Sequence, residues 1–215
     1  NLSSLNVNFL SFSYFYINLF FFYMNINFFD FNSRINLKKG YLLLAQPLLI
    51  DSYFSRSVIL ICDHNKNGTI GLQINKPLKS KVESIISKPL IDQKVFLGGP
   101  VDKNIFFLHK KNVFTNDSVK INNHLFFSKN IDYIESLILN KKIQQNQFKL
   151  FIGYSGWDSG QLEEELNKNS WIVVPKFDIN IIFSNDYNNI WKEVLNNSSK
   201  IHKMFSNYPT NPRLN

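Results

Sequence analysis

Ser57-Val58-Ile59-Leu60-Ile61-Cys62 and Thr69-Ile70-Gly71-Leu72-Gln73-Ile74, joined through Asn65-Lys66-Asn67-Gly68, decide the fold of this chain. Each apolar run has the length of a strand and is bounded by turn residues. The linking Asn-Lys-Asn-Gly is a hairpin signal, because its glycine accepts backbone angles that side chains resist. The two runs are therefore expected to pair antiparallel.

Working outward, further short apolar runs occupy 41–45, 94–97, 105–109, 124–127, 149–154, 171–174 and 180–183, and each is predicted as a strand. Helical spacing appears in four places. Val82, Ile85 and Ile86 share a face that Pro89 closes. Ile131, Ile134 and Ile138 follow an Asn130 cap. Leu162 and Leu166 lie one turn apart, and Ile190, Trp191, Val194 and Leu195 form the inner face of a last helix. Strands outnumber helices and the helices come irregularly, which predicts an α+β fold rather than a doubly wound sheet. Neither an internal repeat nor a Pro/Gly-rich linker divides 37–208, so these residues read as one domain, followed by a loose tail over 209–215.

The totals agree with one domain: 215 residues, 44% hydrophobic, with 21 Phe and 9 Tyr as bulky core material. A single cysteine, Cys62, excludes an internal disulfide and fits a reducing, cytoplasmic setting. The net charge of +8 would draw the chain to anions. Its lysines, however, are scattered (Lys66, Lys76, Lys94, Lys120, Lys149, Lys176), and the tight groups are only pairs such as Lys38-Lys39 and Lys110-Lys111. Abundant Asn, Lys, Ile, Phe and Tyr are the residues of AT-rich codons, so compositional drift explains the charge better than a nucleic-acid footprint does.

Residues 1–29 carry no charge, and 9–29 are long enough to span a bilayer, with Arg34, Lys38 and Lys39 as a basic flank. Asn18, Asn25 and Asn27 lie inside that stretch, and it lacks the charged start and cleavage site of a signal peptide. The expectation is a non-native or unstructured extension over 1–36, with the protein starting at Met24. No membrane contact follows if residues 1–23 are not native.

Three phrases carry more information than the totals. The first is Gly40-x-Leu42-Leu43-x-Ala45-x-Pro47, running through Asp51, Phe54, Arg56-Ser57-Val58, Cys62-x-His64 and Gly68-Thr69-x-Gly71-Leu72 to Asn75-Lys76-Pro77. The second is Gly98-Gly99-Pro100-Val101, and the third is Gly153-Tyr154-Ser155-Gly156-Trp157 with Gln161-Leu162-Glu163. Together they resemble the YqgE/AlgH family of bacterial proteins, a group without a settled biochemical activity. The resemblance covers most of the chain after residue 37. It implies a mostly antiparallel, bifurcated sheet folded into a pseudo-barrel with helices packed outside. Asp158 departs from the pattern, where the family more usually has glycine.

Each polar motif residue has a structural and a functional reading. Arg56 can fork onto an anion or pair with Asp51 in its own loop. Cys62 and His64, two apart, face one side if the strand continues, yet zinc wants four ligands and no second cysteine exists, so no metal is expected. Asn75 at a strand end can brace a turn or point an amide into a cleft. Gly98-Gly99-Pro100 reads as a hinge in which glycine takes a positive φ, because Pro100 removes a phosphate-cradling donor. Ser155 lacks the Gly-x-Ser-x-Gly frame of a nucleophile elbow. Asp158 is expected to cap the next helix, with Gln161 as its reciprocal partner.

The candidate ligand-binding residues are Arg56, His64, Asn75, Trp157, Gln161 and Glu165, with Trp157 as an aromatic wall; Arg56, Asn75 and the 157–165 segment are expected to meet in space. No catalytic residue, metal or cofactor is assigned. The preferred reading is a non-catalytic domain that binds a small molecule or a protein partner. A transcriptional regulator is the alternative, a label some members of the family carry. The sequence holds no helix-turn-helix, zinc finger or basic recognition helix, so any DNA contact would be indirect. A hydrolase using Glu165 or His64 as general base is the third reading, and it lacks a nucleophile.

Overall fold

The structure, a computed structural model, describes residues 35–47, 49, 51–78, 90, 93–110, 118–198, 203 and 205–207. The N-terminal segment with Met24, the helix expected around 82–86 and the tail after 208 lie outside the described residues. No helix among the described residues is long and apolar enough to cross a membrane.

The chain forms strands β1 (Leu42–Ala45), β2 (Val58–Asn65), β3 (Gly68–Gln73), β4 (Val95–Leu97), β5 (Val101–His109), β6 (Ser118–Lys120), β7 (Phe126–Ser128), β8 (Phe148–Asp158) and β9 (Trp171–Val174). Helices are α1 (Ile131–Leu139), α2 (Gln161–Asn167) and α3 (Ile190–Ser198). The sheet runs β6-β7-β5-β8-β3-β2-β1-β9, with β4 beside β8 and off that path. Neighbours are antiparallel except β4 and β8, which are parallel. The β2–β3 hairpin closes at Asn65 opposite Gly68, as the sequence predicts.

The sheet forks along β8. Its first half lies between β4 and β5, while Ser155 to Asp158 pair with β3. Gly153 stands at the fork with φ +69°, a left-handed angle that glycine adopts without strain. The Gly98-Gly99 passage threads this fork. A Cβ on Gly98 would sit 2.0 Å from the Gly153 carbonyl oxygen, and one on Gly99 would sit 2.1 Å from the Ser155 nitrogen. Neither glycine has a positive φ, which corrects the hinge reading: both are required because backbone meets backbone. Ser155 is buried here and its Oγ donates to the Gly98 carbonyl at 3.1 Å.

The result is a single α+β domain with a bifurcated, mostly antiparallel sheet curled into a pseudo-barrel. Alternation along the strands sorts apolar side chains into three clusters. Leu42, Leu44, Leu60 and Leu72 join Phe106 and Phe151 inside the curl, where α3 inserts Ile190, Trp191, Val194 and Leu195. On the other face, Leu43, Ile59 and Ile61 pack with Trp157, Trp171 and Leu162 of α2. Phe107, Leu150 and Val95 pack with Ile134 and Leu137 of α1. Because both faces of β1 and the start of β2 are covered, these strands read as unbroken apolar runs.

Local signals explain the helix starts. Asn130 accepts the Tyr133 N–H at 3.0 Å and caps α1. The cap expected at Asp158 is not formed: β8 continues to Asp158, paired with Gly68, and Gly160 occupies the N-cap of α2 at φ +80°. Half of the expected reciprocity survives, since the Gln161 side chain accepts the Asp158 N–H at 3.0 Å. Ile179–Phe183 is a 3-10 helix rather than a strand, because Asp178 accepts the Asn180 N–H at 2.9 Å and turns the chain. The short edge strand β6 was not predicted; its residues are polar or partly exposed.

Candidate functional site

Two motifs that lie apart in sequence build one cleft. Asp51 Oδ1 accepts the N–H groups of Tyr53 and Phe54 at 2.7 and 2.6 Å, which folds the 51–57 loop into a tight turn. Arg56 ends that turn at φ +53°, an angle that costs a non-glycine residue about 1 kcal/mol. Asn75 holds it there: its Oδ1 accepts the Val58 N–H at 2.9 Å and its Nδ2 donates to the Arg56 carbonyl at 2.8 Å. Lys76 Nζ donates to the Ser55 carbonyl at 2.6 Å. The Asn-Lys-Pro motif therefore clamps residues 55–58 through three backbone groups, and Pro77 bridges to Phe96 of β4.

The clamp leaves two cations at one opening. The Arg56 guanidinium lies 4.9 Å from the Trp191 ring centroid, and the Trp191 indole N–H is fixed on the Ala45 carbonyl at 2.9 Å. Burial pushes the Arg56 pKa down. Burial also pushes the Lys76 pKa down, with the nearby Arg56 charge adding to it. The cleft measures about 720 Å³ and is lined by Tyr53, Arg56, Gln73, Asn75, Lys76 and Leu97, among others. None of its described lining residues is acidic. Gln73 is fully buried, and neither Nε2 nor Oε1 has a hydrogen-bond partner among the described residues.

The remaining candidates gather elsewhere. Glu165 Oε2 accepts the indole N–H groups of Trp157 at 2.9 Å and Trp171 at 2.7 Å, while Oε1 accepts from Gln161 Nε2 at 3.0 Å. The two indoles meet edge to face at 5.9 Å, and both are buried. This tryptophan clasp fastens α2 to β8 and β9. Trp157 is thus a core ring of the outer cluster, and none of Trp157, Gln161 and Glu165 lines the cleft of Arg56, which lies over a ring of the inner cluster, although Phe54 of the 51–57 loop meets Trp171 edge to face at 5.5 Å. His64 is placed near the clasp, with Nδ1 at 2.8 Å from Thr69 Oγ1 and Nε2 at 4.0 Å from Glu163 Oε1.

Cys62 and His64 do not share a face. The β2–β3 register shifts between Ile61 and Asp63, so Cys62 is the extra residue of a β-bulge. Cys62 faces the inner cluster, and His64 opposite Thr69 falls on the side of Ile61 and Trp157. Among the described residues no three His, Cys, Asp or Glu side chains gather as metal ligands would.

Sequence reasoning missed Gln73, Lys76 and Lys149. Lys149 is buried, and its Nζ donates to the carbonyls of Ile74 at 2.7 Å and Ile182 at 2.9 Å, 3.8 Å from the Phe96 ring centroid. Burial, with the Lys94 charge behind it, pushes its pKa down to about 7. It lines a second cavity of about 250 Å³ and ties the 179–183 helix to the end of β3. The overlooked signal was a polar residue in or at the edge of an apolar run: Gln73 within 69–74 and Lys149 at the start of 149–154.

Comparison with known proteins bears on the family and the fold. Residues 42–201 match the family model described as AlgH-like. A UPF0301 protein of Cytophaga hutchinsonii is 38% identical, over 83% of this chain and 100% of its own length. One of Parabacteroides distasonis is 36% identical, over 82% of this chain and 91% of its own. The crystal structure of a Corynebacterium diphtheriae protein shares the fold with TM-score 0.65 at 22% identity, covering 83% of this chain and 97% of that one. The solution structure of the AlgH protein from Pseudomonas aeruginosa aligns with TM-score 0.58 at 26% identity, covering 71% of this chain and 84% of its own. The hairpin, the glycine passage at the fork and the tryptophan clasp all lie within the matched span, and the chain belongs to the AlgH-like family.

Proposed function

We propose that this domain, residues 37–208, is a non-catalytic binder of a small anionic ligand in the Arg56–Lys76 cleft. The observation that carries the reading is the placement of two cations at one opening whose described walls include no acid. Like charges held together by a built clamp gain most from an anion between them, and a guanidinium beside an ammonium is a common anion receptor. Two of the groups that hydrolysis would need are already engaged: Ser155 Oγ bonds a carbonyl, and the Glu165 carboxylate accepts three donors. A cytoplasmic location belongs to the same reading; its support is one free, buried thiol, Cys62.

Calorimetric titration of the full chain with inorganic phosphate and pyrophosphate tests this. Saturable binding is expected for the wild type, and at least a tenfold loss for Lys76→Met and for Arg56→Asn, a residue that tolerates the left-handed backbone. Equal affinity in the variants would remove the cleft from the account. Broad, salt-sensitive binding of duplex DNA, with no response to either anion, would favour the regulator reading instead.

A further inference from the structure

We infer that the ligand of the cleft is a nucleotide, whose base edge pairs with the side-chain amide of Gln73. The inference rests on the anion-binding reading above and adds to it the half of the ligand that the cations do not address. Gln73 is fully buried, lines the cleft, and leaves both amide atoms without a partner among the described residues. Buried side-chain amides are nearly always satisfied in native proteins, so one that is unpaired at both ends beside a cleft marks a missing partner.

The backbone that carries that amide is fixed. Gln73 is the last residue of β3, paired with Ile59, and its backbone N–H donates to the Gly98 carbonyl at 2.9 Å. The neighbouring amide, Asn75, has its oxygen engaged by the Val58 N–H and its nitrogen by the Arg56 carbonyl, so rotating it toward Gln73 would break both bonds. A glutamine amide offers a donor and an acceptor side by side in one plane. Its complement is a planar edge with an acceptor beside a donor, the pattern along the edge of a nucleobase. The flanking walls suit a flat ring: Tyr53 is aromatic and half-buried, and Pro77 and Leu97 are apolar. A volume of about 720 Å³ accommodates base, sugar and phosphate together, with the phosphate toward Arg56 and Lys76.

The test compares the four common ribonucleoside monophosphates with ribose 5-phosphate on the full chain, for wild type and Gln73→Met. Methionine matches the volume of glutamine, removes the unpaired amide and leaves the cations in place. The expected result is at least one nucleotide binding tenfold or more tighter than ribose 5-phosphate, with Gln73→Met erasing that advantage and leaving ribose 5-phosphate unaffected. If ribose 5-phosphate binds as well as every nucleotide, the base-edge inference is overturned while the anion reading stands. If neither nucleotide nor ribose 5-phosphate binds at millimolar concentration, both are overturned. A nucleotide preference that persists in Gln73→Met would move the base away from Gln73 and also defeat the inference.

Discussion

The tryptophan clasp and the Arg56 cleft are built from the same kinds of residue, polar side chains and large aromatics beside tight turns, and they end in different states. In the clasp, the two oxygens of one carboxylate meet three donors, and both indoles are buried around it. In the cleft, two cations share an opening with no acid in its described wall, and both atoms of one buried amide lack a hydrogen-bond partner among the described residues. A distinctive motif can therefore be a strut or a site, and the arithmetic of hydrogen bonds separates them better than distinctiveness does. Gly153 to Glu163 is a distinctive phrase of the sequence, yet its geometry is explained by the fork of the sheet at Gly153 and Ser155 and by holding α2 against the sheet through Trp157 and Gln161.

Substitutions can break this contrast. The largest effect is expected for Glu165→Ala, which strands two buried indole N–H groups and should cost about 4 kcal/mol in chemical denaturation. Glu165→Gln keeps an acceptor and should recover part of that loss. If Glu165→Ala abolished anion binding in protein that remains folded, the clasp would belong to the site after all. Next comes Asn75→Ala, which leaves the Val58 N–H and the Arg56 carbonyl unpaired and should cost about 3 kcal/mol. Here affinity for pyrophosphate should fall as well, because the strained Arg56 backbone loses its brace.

Lys149 is a third case, a buried cation with partners. Folded, it loses its proton near pH 7, against about 10.4 in the unfolded chain. Between these values the unfolded chain holds more protons, so stability should rise with pH, by at most about 1.4 kcal/mol per unit. The clean window is pH 7 to about 8.5, since the Cys62 thiol, whose pKa burial pushes up, acts in the opposite sense once unfolded thiols ionise. Lys149→Met should flatten the slope in that window, and denaturation curves at several pH values would show it. The smallest effect is expected for Gln73→Met, a gain of about 1 kcal/mol in the unliganded protein, because an unpaired buried amide is replaced by an apolar chain of similar volume. A loss instead of a gain would mean that Gln73 is already satisfied.

Much of the fold was legible because its signals are local. The β2–β3 hairpin, the Asn130 cap and the apolar stripe of α3 each depend on residues within a few positions of one another. What escaped depends on distant chain. Gly98 and Gly99 are glycines because β8 crosses them some fifty residues later, and a hinge was the only local explanation on offer. The bulge at Cys62 turns His64 to the other face, which spacing alone cannot reveal. The apolar run at 179–183 was too short for its period to distinguish a strand from a 3-10 helix. At the site, Arg56 and Asn75 were named from their motifs. Gln73 and Lys76 were read as strand and turn, since burial and cleft are properties of the folded chain.

The measurement that tests the central claim most directly is the indole nitrogen-15 spectrum of the full chain during titration with pyrophosphate. Two indoles report the two regions separately: Trp191 lies under Arg56, and Trp157 is bound to Glu165, whereas Trp171 is bound to Glu165 and also meets Phe54 of the Arg56 loop. A saturable shift of the Trp191 signal with the Trp157 signal unmoved is the expected result. A shift of Trp157 and Trp171 with Trp191 silent would place the ligand at the clasp and contradict the account.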